Sequence, residues 1–461
     1  MYANLTKLLA DIRASYWFFP SCMVIAAVAL SIVAPLLDRT IGAGWLGGFD
    51  WLTAARTTGA RSVLTVIAGS IIGVAGVTFS ITVVAVSYAS ANFGPRLIGN
   101  FMRDRGNQIT LGVFIGTFVY CLLILRTVRD ASSGDATSAD AFVPHLSVLL
   151  ALTLALMSVG FLIYFFHHVP ETINVSNIAA RIGGQLRNGV VNLFPDPDTL
   201  PAPGGKADTA WDDRTSSMKH APIEATDEGY IQTLDEKRLF KVADANGLLV
   251  RVQYRPGDFV IIGDTVLDVW STTKLDNPTT RDLRACFALG RRRTPHQNVL
   301  FLVDELVEII ARALSPGIND PFTAITCIDW LKVGLGSFIA HDDDAADPVG
   351  SGPVRIYPVT FERFVSRIFD NSRQYVCTDR NVALHAIACM TEIAARLDDD
   401  ARRQIVISHM KALADASAVA LGDHPGAQDI ADRHREALAI LADPDGYGKH
   451  RNSQAWFGGR G

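Results

Sequence analysis

The sequence predicts an α-helical membrane protein with four transmembrane helices and a mixed α+β, mostly helical cytoplasmic domain. Hydrophobic residues make up 49% of its 461 residues and charged residues only 19%, below the roughly 25% of charged residues in ordinary globular domains. The deficit of charge is concentrated in the first third of the chain. The length also exceeds what one compact domain usually holds, which indicates at least two parts.

Four apolar segments contain no Asp, Glu, Lys or Arg, and each is a predicted span. A helix needs about 20 apolar residues to cross the hydrocarbon core, and about 17 are tolerated. The first segment is too long for the apolar core of a signal peptide, so we expect it to be retained. The four predicted spans cover residues 16–37, 62–88, 110–125 and 146–166.

The distribution of Lys and Arg predicts the orientation of these spans. More basic residues flank the ends that would be cytoplasmic if the N-terminus lies inside than occupy the opposite loops, in agreement with the positive-inside rule. An even number of spans then returns the chain to the same side. We therefore expect both the N- and the C-terminus in the cytoplasm.

Several functional classes are disfavoured by composition and motifs. A net charge of -5 is opposite to the basic surplus of a nucleic-acid binder. The six cysteines form no C-x-x-C pair, the usual signature of zinc ribbons and thioredoxin-like sites. Adjacent His167 and His168 would point about 100° apart on a helix, so we expect them at the lipid headgroups. With no recognisable catalytic motif either, we predict no enzyme, cofactor or metal site.

The second span carries a series of small and hydroxyl residues. Small residues let helix backbones approach closely, and hydroxyl groups can bond across helices or line a conducting path. Tight helix packing and pore lining are therefore both open interpretations. The residues concerned are Gly69, Gly73, Gly76, Thr78, Ser80 and Thr82.

A basic segment follows the second span. Pro95 ends or kinks the helix, and Arg96, Arg103 and Arg105 come directly after it. Juxtamembrane arginines can hold the phosphates of anionic lipids, can form the inner mouth of a pore, or can simply fix the topology. We expect one of these three roles.

The remaining chain divides by composition and periodicity. Four prolines fall between residues 195 and 203, which is typical of an extended linker. Alternating residues over 249–254, followed by Pro-Gly-Asp, predict a strand and a turn. We predict a transmembrane domain over 1–170, an amphipathic connecting helix over 171–194, a Pro/Gly-rich linker over 195–225, a small β-rich module over 226–295, a helical cytoplasmic domain over 296–442 and a disordered tail over 443–461.

Two segments form a candidate anion site. Three consecutive arginines can seat a phosphate or carboxylate, or they can pair with acidic residues of the next helix, such as Asp304. At the second segment, Asp320 followed by Pro321 predicts an N-cap and the first turn of a helix, where free N–H groups can also receive an anion. The candidate residues are Arg291, Arg292, Arg293, Thr294, Asn319 and Asp320.

Four sequence blocks resemble a bacterial family of predicted integral membrane proteins known as domain of unknown function 2254. The resemblance implies a bacterial inner-membrane protein with four spans, a cytoplasmic domain and no established activity. The sequence departs from the usual family pattern at Ser87 and Gly94. The blocks are Asn-Phe-Gly-Pro-Arg at 92–96, Arg-Asp-Arg-Gly-Asn-Gln at 103–108, Gly-Tyr-Ile-Gln at 229–232 with Pro-Gly-Asp-Phe-Val at 256–260, and Ala-Leu-Ser-Pro-Gly-Ile-Asn-Asp-Pro at 313–321.

Two functions compete on these observations. The first is an oligomeric channel or passive conduit, with the second span lining the path and the cytoplasmic domain assembling or regulating it. The alternative is a membrane-anchored sensor or scaffold that binds an anion or a protein partner through its cytoplasmic domain. The spans carry no ionisable acidic or basic side chain, which argues against a proton-coupled pump. The expected partners are the lipid bilayer, further copies of the chain, and an anionic lipid or small ion, with no nucleic acid.

Overall fold

The chain forms two compact units that divide between Asn174 and Val175 in a computed structural model. Each unit is described by itself. The described residues are 15, 17–41, 57–93, 104–128, 144–193, 207–341, 352–357, 359–443 and 446–451.

Four long helices make up most of the described part of the N-terminal unit. Each covers one predicted span, except that the first helix begins two residues after the start of its span. All four are long and apolar enough to cross a membrane. The helices are α1 (Phe18–Ile41), α2 (Thr57–Phe93), α3 (Arg105–Leu125) and α4 (His145–Ile173).

Helix α3 is the centre of this unit, because it packs against α1, α2 and α4. Close contact with α1 is possible at Gly112, where an added Cβ would lie 2.5 Å from the sulfur of Met23. The Thr117 and Ser158 hydroxyls lie 3.1 Å apart between α3 and α4. Such small residues and hydroxyl pairs are how helices associate in lipid.

The carboxylate of Asp38 near the end of α1 satisfies the first turn of α4. It accepts hydrogen bonds from the backbone N–H of Leu146 at 2.7 Å and of Ser147 at 3.0 Å. The residue before α4 is Pro144, whose side chain makes no capping bond. Asp38 therefore supplies from another helix the negative charge that a helix N-terminus favours.

The outward faces of this unit are apolar. Large side chains on α1, α2 and α4 are open, including Ile25 at 68%, Val84 at 70% and Leu156 at 74% exposure. A water-soluble monomer rarely exposes so many large apolar groups, whereas a lipid-facing helix requires them. The helices therefore have the surface of a bundle embedded in lipid.

The C-terminal unit contains two small sheets. One has the strand order β1-β5-β3-β7 and the other β4-β2-β6. All pairs are antiparallel except β3 with β7. The strands are β1 (Lys219–Glu224), β2 (Gly229–Leu234), β3 (Leu249–Val252), β4 (Phe259–Val260), β5 (Thr265–Ser271), β6 (Phe287–Gly290) and β7 (Val354–Arg355).

The long helix α10 contacts α5, α9 and α12. Helices α12, α13 and α14 pack on one another, and α11 lies against α9 and α13. They are α5 (Val175–Val191), α6 (Ala207–Ser216), α7 (Glu236–Ala245), α8 (Asn277–Arg284), α9 (Val299–Ala313), α10 (Pro321–His341), α11 (Phe361–Val376), α12 (Arg380–Ala394), α13 (Asp400–Leu421), α14 (Pro425–Ala442) and α15 (Gly446–Arg451).

Helix α10 is a fifth segment that is long and apolar enough to cross a membrane, over Pro321–Ala340. Its surroundings differ from those of α1 to α4, because apart from Phe322 and Ala340 its described side chains are buried or half-buried. Gly183 of α5 lies directly on the ring of Trp330, and Leu186 of α5 covers Gly334. The apolar character of α10 is thus used inside a helical core.

Three predicted boundaries differ from the structure. The predicted linker 195–225 contains α6 and β1 in its second half, while residues 194–206 lie outside the described residues. The small β-rich module takes strands from outside 226–295, namely β1 and β7, because a sheet edge can be completed by distant chain. The short helix α15 lies within the tail predicted to be disordered.

Candidate functional site

The six small and hydroxyl residues of the second span divide between two opposite faces of α2. Thr78 and Thr82 are each only 5% exposed. A Cβ added at Gly69, Gly73 or Gly76 meets no atom within 4 Å, and Ser80 is exposed with them. The six residues are therefore two surfaces: a hydroxyl face turned into the bundle and a small-residue face turned away from it.

The inward hydroxyl face borders a small pocket that also has apolar walls, such as Phe114 and Phe165. Thr78, Thr82, Asn107 and Thr110 line a space of about 20 Å³ between α2 and α3, which is room for about one water molecule. The hydroxyl of Thr78 donates to the carbonyl of Val74 at 2.6 Å. A space of this size holds about one water molecule and does not support a conducting path at that point.

The sequence block at 103–108 fixes the start of α3 against α4. Asp104 caps α3 by accepting from the N–H of Asn107 at 3.0 Å, and the same oxygen lies 2.8 Å from Nε2 of His168. His168 stacks on Tyr164 with ring centroids 4.9 Å apart. A Cβ at Gly106 would lie 2.5 Å from the Tyr164 hydroxyl. The sequence predicts that His168 lies at the lipid headgroups. His168 also contacts Asp104 at the start of α3 and so connects α4 to α3.

The predicted basic cluster is only partly described. Arg105 is exposed, and its guanidinium lies 5.9 Å from the ring centroid of Phe19 on α1. Arg96 and Arg103 lie outside the described residues. The roles in lipid binding, pore-mouth electrostatics or topology therefore remain predictions.

The arginines at 291–293 do not converge on a shared ligand position. Arg293 pairs with Asp304 at 2.9 Å and donates to the carbonyl of Gly257 at 3.1 Å. Asp304 also receives two hydrogen bonds from Arg367, each of 2.6 Å. Arg291 and Arg292 are exposed, and Thr294 is half-buried. For Arg293, internal pairing is thus the correct alternative.

The corner before α10 is a helix cap, as predicted. The Asp320 carboxylate accepts from the backbone N–H of Thr323 at 3.2 Å and from its hydroxyl at 2.6 Å. Asn319 adopts a left-handed φ of 48°. The N–H of Asp320 bonds to the carbonyl of Ala313 at the end of α9. These contacts hold Asn319 and Asp320 in a turn between α9 and α10, whereas Arg293 is bound to residues elsewhere.

A cleft of about 500 Å³ lies between the small sheets and helices α9 and α11, within the size range of small-molecule sites. Its polar lining comes from segments that are far apart in the sequence. The polar lining includes Arg255, Asn298, Tyr357, Arg363, Ser366 and Asn371.

Four arginines line this cleft. Two of them, Arg293 and Arg367, pair with Asp304, which leaves Arg255 and Arg363. Burial, and then the charge of Arg363, lower the pKa of the Arg255 guanidinium, and the charge of Asp258 partly offsets them. Nη1 of Arg255 is buried without a hydrogen-bond partner. Among the described residues, neither Arg255 nor Arg363 forms an ion pair. Two like charges at one cleft are unfavourable until an anion joins them.

Two of the three carboxylates that line the cleft already have a hydrogen-bond or ion-pair partner. Asp258 accepts from the backbone N–H of Arg255 at 2.8 Å. Asp370 pairs with Arg373 of its own helix. Glu236 lines the cleft as an exposed side chain. The cleft therefore offers the buried, unbonded Nη1 of Arg255 and the exposed guanidinium of Arg363. It also offers acceptor groups that suit the hydroxyl or amine groups of a ligand.

Comparison with known proteins shows to which family the chain belongs. A family described as "Predicted membrane protein (DUF2254)" matches residues 13–392. The chain belongs to this family. An uncharacterized protein of Mycobacterium bovis is 29% identical over 413 residues, which cover 87% of this chain and 76% of the relative. An uncharacterized protein of Mycobacterium tuberculosis matches with the same identity and coverage. No solved structure matches the chain significantly.

The predicted resemblance to the DUF2254 family is thus confirmed, and the structure gives its sequence blocks a physical meaning. The block at 103–108 locks α3 onto α4 through Asp104 and Gly106. The block at 313–321 ends α9 and caps α10. The block at 256–260 contributes Pro256, Gly257 and Asp258 to the cleft. Of the residues predicted for an anion site, Arg293 lines the cleft. The rest of the cleft was missed, because Arg255 and Arg363 are too far apart in the sequence to be associated by spacing.

Proposed function

We propose that this protein is a membrane-anchored receptor whose C-terminal unit binds an anionic small molecule in the cleft. The observation that supports this most is the pair Arg255 and Arg363, which line one cleft and form no ion pair among the described residues. A phosphate group between them would remove their repulsion and accept charge-assisted hydrogen bonds. Glu236 and Asp258 favour a ligand that also carries hydroxyl or amine donors.

Thermal unfolding of the full chain in detergent tests this proposal. The probes are inorganic phosphate, pyrophosphate and a set of nucleotides. A ligand at 100 times its dissociation constant stabilises the folded state by about 2.7 kcal/mol, so at least one probe should raise the melting temperature. The rise should vanish in Arg255→Gln with Arg363→Gln. The matched control, Arg291→Gln with Arg292→Gln, removes two exposed arginines and should keep it. Equal shifts in both double variants would contradict the proposal.

We propose a topology of four spans, α1 to α4, in a bacterial inner membrane, with both termini in the cytoplasm. The large exposed apolar side chains on α1, α2 and α4 support this count. The enclosure of α10, and the presence of Asp329 and Lys332 within it, favour a helix inside the C-terminal unit, because charged groups at the bilayer centre are costly. The Lys and Arg distribution supports the orientation.

A second candidate is the oligomeric channel or passive conduit. It is favoured by the small-residue face of α2, which is exposed in the single chain at Gly69, Gly73, Gly76 and Ser80. Small residues spaced in this way allow two helices to pack closely in lipid. A path between copies would be lined by this face, and Thr78 and Thr82 would lie behind it. Flux assays in liposomes, compared between the wild type and Gly73→Leu, test this candidate.

A further inference from the structure

A group of three metal-binding side chains lies between α10 and α12, away from the cleft. His385 and Cys389 are one helical turn apart on α12, so they lie on one face. Asp329 of α10 lies opposite them, with its Oδ1 2.8 Å from Nε2 of His385 and 3.9 Å from Sγ of Cys389. One ligand atom from each of the three residues lies within 4.8 Å of the other two.

These separations are close to those of a zinc site. Zinc bonds of about 2.0–2.1 Å to nitrogen and oxygen and 2.3 Å to sulfur put tetrahedral ligand atoms about 3.3–3.6 Å apart. The imidazole and the carboxylate are a few tenths of an ångström too close, and the thiol and the carboxylate a few tenths too far apart. Small rotations of these side chains would therefore bring the three atoms to one ion.

The charges around the group suit a divalent cation. Lys332 lies 3.9 Å from Asp329 and 3.4 Å from Glu392. Glu392 follows Cys389 on the same face of α12, less than a turn away. A thiolate and two carboxylates carry three negative charges, and Lys332 with a divalent ion carries three positive charges. The partly buried set is thereby neutral, which lowers the cost of removing its charges from water.

We propose that Asp329, His385 and Cys389 bind one zinc ion, with Lys332 held by Glu392 beside it. A thiolate, an imidazole and a carboxylate form a donor set that suits zinc, because Mg²⁺ and Ca²⁺ prefer oxygen ligands alone. Three protein ligands leave a fourth position for water or for Glu392. The site joins α10 to α12 and is independent of the anion receptor proposed above.

Metal content and cobalt spectroscopy of the purified full chain test the zinc site. After incubation with Zn²⁺ and removal of free metal, we expect one zinc ion per chain. With Co²⁺ in its place, we expect d–d bands typical of tetrahedral cobalt and a thiolate-to-cobalt charge-transfer band in the near ultraviolet. Cys389→Ser should abolish the charge-transfer band and weaken Zn²⁺ binding by at least the roughly 10- to 100-fold that loss of an outer-shell partner costs.

The matched control is Cys377→Ser, which changes another buried cysteine at the end of α11. It should keep the cobalt spectrum and the zinc affinity within about twofold. Asp329→Asn provides a second ligand variant that keeps the shape of the side chain, and it should lose affinity as Cys389→Ser does. Absence of zinc binding and of the charge-transfer band in the wild type would overturn the proposal, and that result does not depend on any variant folding.

Discussion

Gly106 lies at a close approach between α3 and α4. A Cβ there would meet the Tyr164 hydroxyl at 2.5 Å and Nε2 of His168 at 2.8 Å, whereas Gly73 on α2 faces open space. Overpacking of this kind costs about 1–3 kcal/mol, so Gly106→Ala should be less stable than Gly73→Ala by that amount. Both changes add the same methyl group to a helix, which makes Gly73→Ala the control. Equal unfolding midpoints of the two variants in detergent would show that the contact between α3 and α4 at Gly106 accommodates a methyl group.

His409 makes the C-terminal unit sensitive to acid. Burial lowers its pKa, partly offset by Asp370 and Glu362 and reinforced by Arg373. The folded state therefore binds fewer protons than the unfolded state, whose histidine pKa is about 6.5. Stability from this group is present above pH 6.5 and is lost as the pH falls through the lowered folded-state pKa.

The measurement is the unfolding midpoint between pH 5 and pH 8 for His409→Gln and for the wild type. We expect the variant to have a flatter profile on the acidic side. The control His296→Gln changes an exposed histidine and should leave the profile as it is. A wild-type slope in His409→Gln would assign the acid sensitivity to other groups.

At the scale of single residues, roles that depend on neighbours in the sequence were predictable, and roles that depend on tertiary contacts were not. The Asp320 cap follows from Asp-Pro before an apolar run, because capping involves only neighbours in sequence. The sequence left open whether Arg293 binds an anion or pairs with an acidic residue. Asp304 of α9 pairs with both Arg293 and Arg367 of α11, which shows the internal pair. The pairs Arg255 with Arg363 and Asp329 with His385 depend on helix packing, for which one sequence carries no spacing signal.

At the scale of the elements, we expect a larger side chain to have a different effect on each of the two faces of α2. Thr78 is buried against the rest of the bundle, and Gly73 is open. Thr78→Leu should destabilise the chain by about 1–3 kcal/mol through overpacking. Gly73→Leu should leave the single chain stable and weaken association between copies. Unfolding midpoints and the oligomeric mass in nanodiscs separate these effects, and an unchanged mass in Gly73→Leu would remove the support for the oligomeric conduit.

The spans were the most predictable elements, because an uncharged run long enough to cross lipid is a property of the sequence alone. Their ends were less predictable, since α2 extends to Phe93 and α4 to Ile173, beyond the apolar runs. Helix α10 shows the converse. Its apolar length resembles a span, and only the packing of Gly183 against Trp330 reveals that protein covers it.

At the scale of the whole molecule, the position of α10 decides the topology. Ile262 precedes α10 and is 63% exposed, and Val419 follows it and is 87% exposed. If α10 does not cross the membrane, cysteines at these positions react with an impermeant reagent from the same side. Ile262→Cys and Val419→Cys, each with Cys22→Ser to remove the exposed native cysteine, give this comparison in spheroplasts. Labelling from opposite sides would make α10 a fifth span.

The central claim, that Arg255 and Arg363 form an anion site, is tested most directly by calorimetric titration of the full chain with pyrophosphate. Charge-assisted hydrogen bonds are worth about 1.5–3 kcal/mol each, so loss of one guanidinium should weaken binding about tenfold or more. We expect saturable binding of one pyrophosphate per chain, weakened by that factor in Arg255→Gln and in Arg363→Gln and unchanged in Arg291→Gln. No saturable binding to the wild type, or equal affinity in all four proteins, would contradict the account.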